Sequence, residues 1–121
     1  MRRISYDVSI RLPVKGLEDK WVEVADLGNI TWNVRELIAK SSGWQIKNEA
    51  SNGPVLPWLR LIEIGMQELE NNPDKYKKYE SPNGWGTIRG VKSFYHSCYD
   101  NASDWISWNE EFLPVAVVWV S

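Results

Sequence analysis

The chain has 121 residues, of which 43% are hydrophobic and 25% charged, and its net charge is -2. That length suits one ordinary domain over residues 1–121, and the apolar fraction is that of a soluble globular chain. The acidic balance lacks the basic stripe with which a nucleic-acid binder collects phosphates, so DNA and RNA are not expected as partners.

One cysteine, Cys98, allows neither an internal disulfide nor a cysteine-based metal site, and no Asp/Asn-rich loop of calcium type is present, so no metal and no cofactor are expected. Asp7 interrupts the apolar core that a signal peptide needs, and no apolar run approaches the ~20 residues of a membrane span. A cytoplasmic protein away from membranes is the expectation. Tryptophan is the outlier, at eight residues. Each ring buries roughly 150 to 250 Å² and carries an N–H that wants a partner, so a domain this small is expected to leave some of them at its surface.

In chain order, Ile4, Tyr6, Val8, Ile10 and Leu12 alternate with polar residues, which predicts a strand with one buried face, ended by Pro13. A polar connection leads to a second strand at about 21–25, and a register with Val22 and Val24 on the face of Val8 and Ile10 is expected. After Gly28 the period changes. Ile30, Val34, Leu37, Ile38 and Ser41 are spaced for a helix, with Thr31 or Asn33 as its cap and Gly43 as its stop. Residues 45–54 are polar and rich in breakers, and read as an exposed, mobile loop.

The strongest helical pattern covers residues 57–71, with Pro57 in the first turn and Pro73 preventing continuation. Gly65 inside it costs about 1 kcal/mol of helix propensity relative to Ala, which suggests that another element crosses closely there. Residues 74–81 form a Lys/Tyr-rich turn. Ile88, Val91, Tyr95, Cys98 and Ala102 predict a third helix, after which 104–114 looks irregular. Val115 to Val120 is apolar on both faces, as in a central buried strand. The economical architecture is α+β: a small antiparallel sheet in the order ββαααβ, with about three helices packed on one face.

No catalytic signature is present. His96 and Cys98 sit two apart on a helix, about 200° around its axis, and so do not form a nucleophile–base dyad. His96 is spaced for a pair with Asp100, and Cys98 lies on the apolar stripe. An enzyme acting through His96 and an Asp or Tyr brought near by folding is the third functional option.

Ser5-Tyr6-Asp7, Gly28-Asn29-Ile30-Thr31-Trp32-Asn33, Asn71-Asn72-Pro73-Asp74-Lys75-Tyr76 and Asn83-Gly84-Trp85-Gly86 occur in this order. Over about residues 5–98 the chain thereby resembles a family of small proteins encoded by bacteriophages, prophages and some bacteria. The resemblance implies a phage or mobile-element setting and carries no established activity, cofactor or catalytic residue. The chain departs from the family pattern by inserting residues 102–113, with two extra tryptophans, before the final strand.

Two binding functions are therefore expected. The first is a non-enzymatic protein that acts by stoichiometric binding to a bacterial host protein, for example as a counter-defence inhibitor, with Trp105, Trp108 and Glu111 as contacts. The second is a small-ligand or nucleotide-binding module between the starts of the first and third helices. There Asn29, Thr31, Asn33 and Asn83 supply hydrogen bonds, Trp32 or Trp85 a stacking face, and Arg35 or Arg89 charge. The same Asn and Thr residues equally suit helix caps, with Trp32 and Trp85 covering the core.

Overall fold

The structure, a computed structural model, describes residues 5–81 and 86–121. Its elements are β1 (Ser5–Pro13), β2 (Trp21–Thr31), α1 (Arg35–Ser42), β3 (Ala50–Pro54), α2 (Val55–Asn71), α3 (Ile88–Asn109) and β4 (Val117–Val120). Short 3-10 segments at Trp32–Val34, Pro73–Tyr79 and Glu110–Phe112 connect them. The strands form one antiparallel sheet in the order β2-β1-β4-β3. The architecture is thus α+β, with the helices packed against the sheet.

The alternation in β1 sets the layers. Val8 and Ile10 pair with Val120 and Val118, and these four fully buried side chains make the inner face. Leu37, Ile38, Ile62, Leu69, Val91 and Tyr95 from the three helices close over it. The outer face carries Ser9 opposite Trp119 and Arg11 opposite Val117. The Arg11 guanidinium lies 4.7 Å from the ring centre of Trp119, which in turn packs 6.2 Å from Trp21.

β2 departs from the expected register. Two bulges, opposite Val8/Ser9 and Ile10/Arg11, bring Ala25 rather than Val24 opposite Ile10 and leave Val22 and Val24 exposed. The bulge at Leu27 is structural: its side chain enters the core, and its carbonyl oxygen accepts from Ser97 Oγ (3.0 Å) and Asn101 Nδ2 (3.1 Å) on α3. A carbonyl released from the ladder is thereby satisfied by the helix that lies over it.

Residues 45–54 are not the exposed loop expected. Trp44 and Ile46 are buried, and Ala50–Pro54 pairs with β4 as an edge strand. Asn52 fastens the segment. Its Oδ1 accepts from Trp44 Nε1 (3.1 Å) and the Lys47 amide (2.8 Å), while its Nδ2 donates to the carbonyls of Lys47 (2.9 Å) and Ala50 (3.1 Å).

α2 begins at Val55, and Gly43 ends α1 with a φ of 85°, a left-handed cap that suits glycine. Gly65 is the predicted crossing point: a β-carbon there would stand 2.6 Å from the Tyr95 ring and 2.9 Å from Ser42 Cβ. α3 continues to Asn109, so most of the stretch expected to be irregular is helix. Trp105 extends the buried stripe three residues beyond Ala102.

Candidate functional site

The Asn29, Thr31 and Asn33 side chains are already hydrogen-bonded within the fold. Asn29 Nδ2 donates to Asp7 Oδ1 across the β1–β2 ladder (2.6 Å), and the Thr31 hydroxyl donates to Asn33 Oδ1 (2.8 Å). Gly86 lies against this turn, since a β-carbon on it would meet Val34 Cγ1 at 2.8 Å and Asn33 Oδ1 at 3.4 Å. The fold therefore brings Gly86 to the start of the first helix. Asn83 and Trp85 lie outside the described residues.

The start of α3 is already capped. The Ile88 amide donates to Glu80 Oε2 (2.8 Å) and the Gly90 amide to Thr87 Oγ1 (3.0 Å). These are the groups that a helix-terminus anion site needs free. Beside the other start, Trp32 and Asn33 border a shallow depression together with Arg35, Glu36, Lys40 and Gln45. The Arg35 guanidinium is turned inward onto the Ile46 carbonyl.

The end of α3 presents a different surface. Trp105 is buried, at 8% exposure, whereas Trp108, three residues on, is 80% exposed. The backbone around it is held in place: Asn109 Nδ2 donates to the Trp105 carbonyl (2.9 Å) and Ser107 Oγ to the Asp104 carbonyl (2.6 Å). A tight turn follows, in which the amides of Val115 and Ala116 both donate to the Phe112 carbonyl. Leu113 packs against the core, and Phe112 and Val115 face outward at 42% and 49% exposure. Glu110 and Glu111 are exposed beside them. Of the three contacts expected here, Trp108 and Glu111 are surface residues and Trp105 is a support beneath them.

The remaining described indoles are divided. Trp44 and Trp58 are buried edge-to-face at 5.5 Å, Trp21 and Trp119 are half-buried on the outer sheet face, and Trp32 is exposed.

His96 and Cys98 occupy different environments on α3, as their spacing required. Cys98 is fully buried, and burial pushes its thiol well above the ordinary range, so it is held as a neutral core thiol. His96 is exposed, but it faces α2 rather than pairing with Asp100, because the α2–α3 groove opens on its side of the helix. In that groove Lys92 Nζ pairs with Glu70 Oε2 at 2.5 Å and holds the Glu70 carboxyl below the usual carboxylate range, with a smaller contribution from His96.

The Lys/Tyr-rich turn is partly interior. Tyr76 is buried and donates to Glu68 Oε1 (2.6 Å), while Lys75 and Lys78 lie over the rings of Tyr76 and Tyr79. Among the described residues no group of three or more His, Cys, Asp and Glu side chains is placed to hold a metal ion, and no helix is long and apolar enough to cross a membrane. Comparison with protein-family models, with curated proteins and with solved structures finds no match.

Proposed function

We propose that this protein acts by stoichiometric binding to another protein, through the surface made by Trp108, Phe112 and Val115 at the end of α3. The observation that carries the reading is the 80% exposure of Trp108 on a 22-residue helix whose preceding turn is anchored by the buried Trp105. A large indole on a rigid support loses little freedom when a partner covers it, which is why Trp dominates binding hot spots. Glu110 and Glu111 at its margin favour a partner with an apolar pocket rimmed by Lys or Arg. The partner class proposed is a bacterial host protein, which follows only from the phage or mobile-element setting expected from the sequence motifs.

The alternative site at the helix starts has less support, because the Ile88 and Gly90 amides and the Thr31 and Asn33 side chains are already hydrogen-bonded.

The test is affinity capture from bacterial lysate with wild-type protein and Trp108→Ala in parallel, together with thermal unfolding of both. Removing a hot-spot Trp is expected to cost about 2 kcal/mol or more of binding, roughly 30-fold in affinity, with stability unchanged to within about 0.5 kcal/mol. Trp105→Ala is expected to lower stability by about 3 kcal/mol, as for a buried aromatic. A complex captured equally well by Trp108→Ala sinks the reading.

A further inference from the structure

Arg89, Lys92, Ser93 and His96 recur at helical spacing on one face of α3, and that face lines a cavity of about 330 Å³ against the end of α2. The apolar floor comes from Leu69, Pro73 and Ile88. A second hollow of about 220 Å³ shares Glu70 and His96 with the first and continues it along α2 toward Met66.

The charges in the groove are already sorted. Glu70 is bound by Lys92, and this pair bridges the two helices. Among the described residues, neither the Arg89 guanidinium, the Ser93 hydroxyl nor the His96 ring makes a hydrogen bond or ion pair. Arg89 and Lys92 against the single carboxylate of Glu70 leave the groove net positive, on a chain whose overall charge is -2.

We propose that this groove binds a small soluble molecule made of an apolar body and one terminal anionic group, either a carboxylate or a phosphate monoester. The planar fork of Arg89 takes two oxygens of the anion at once, and the Ser93 hydroxyl donates a further hydrogen bond. The apolar body lies on Pro73 and the edge of Ile88. The cavity is at the small end of the range for ligand pockets, which fits a molecule of that size rather than a peptide. Neither half of such a ligand is enough alone: inorganic phosphate leaves the floor uncovered, and an uncharged alcohol leaves Arg89 unpaired.

The experiment is an NMR titration of the isotope-labelled protein at constant ionic strength. The two-part probes are phenyl phosphate and phenylacetate, and the one-part probes are inorganic phosphate and benzyl alcohol. Saturable shifts are expected at Arg89, Ser93 and His96, with at least one two-part probe binding about tenfold more tightly than both one-part probes. Arg89→Gln is expected to weaken that binding about tenfold with no change in melting temperature, because the side chain is exposed and, among the described residues, makes no hydrogen bond or ion pair. Arg60→Gln, ten residues before Glu70 on α2, is expected to change nothing. Should Arg89→Gln melt lower, Ser93→Ala reads the same contact. The proposal is overturned if neither two-part probe saturates, if a one-part probe binds as tightly, if the groove variants bind like wild type, or if Arg60→Gln weakens binding equally.

Discussion

At Gly65 the missing side chain is the space that Tyr95 fills. Tyr95 is fully buried, and its hydroxyl is held 2.7 Å from Ser41 Oγ and 3.3 Å from the Ile38 carbonyl, so the ring is fixed from the far side. Gly65→Ala sets a helix-propensity gain of about 1 kcal/mol against an overpacking cost of about 1–3 kcal/mol. With a contact of 2.6 Å to a ring that cannot swing away, the cost is expected to win. Urea unfolding should show a lower midpoint at an unchanged slope, and a midpoint raised by the substitution would show that the ring is free to move. The contrast between Trp105 and Trp108 belongs to this scale as well. A three-residue step turns a helix only about 60° off the same face, so burial ends along the stripe between Trp105 and Trp108, and the partner-binding reading depends on that end.

Among the elements, β3 is the least legible. Its sequence, Ala50-Ser51-Asn52-Gly53-Pro54, contains no β-branched or aromatic residue, and its strand character comes from pairing with β4 and from the Asn52 hydrogen bonds. Asn52→Ala removes both polar arms at once and is expected to cost about 2–3 kcal/mol. Amide exchange should rise across residues 45–54 while α2 stays protected, and an unchanged exchange pattern would mean that the pairing with β4 holds the segment without Asn52. The elements that were legible are those in which local pattern and tertiary burial agree: the alternation of β1, the stripes of α2 and α3, the glycine stop of α1 and the apolar β4. The β2 bulges were hidden because a one-residue insertion has no composition of its own, only a Leu27 carbonyl to which Ser97 and Asn101, far along the chain, donate. The end of α3 was hidden because Asp104, Asn109 and paired glutamates resemble a loop, although Trp105 continues the spacing of Cys98 and Ala102. The groove at Arg89 was not visible as a site, since its two walls lie in separate helices.

Across the whole molecule, buried phenols tie stability to alkaline pH. Burial raises both Tyr95 and Tyr76 to about 12 from an ordinary 10.0, with the hydrogen bond to Glu68 adding to the effect at Tyr76. An acid with a raised folded pKa keeps its proton more tightly in the native state than in the unfolded one, so stability is lost as pH climbs from 10 toward 12. A two-unit shift on the fully buried Tyr95 corresponds to about 2–3 kcal/mol. Denaturation midpoints should therefore be nearly flat from neutral pH to pH 9 and then fall steeply. Tyr95→Phe should begin less stable, having lost its bond to Ser41, and should fall less steeply above pH 10. An equally steep fall would place the alkaline sensitivity elsewhere.

Because β4 lies between β1 and β3, the middle of the sheet is completed only after the other three strands have been synthesised. Until residues 117–120 emerge from the ribosome, β1 and β3 each show a bare edge to neighbouring nascent chains, and the apolar side of Val8 and Ile10 is half covered. A circular permutant opened in the turn between β1 and β2, with a short linker carrying β4 into β1, would make that central pair a local hairpin. The exchange of backbone hydrogen bonds between Asp7 and Ser121, both 2.9 Å, shows how near those two ends already are.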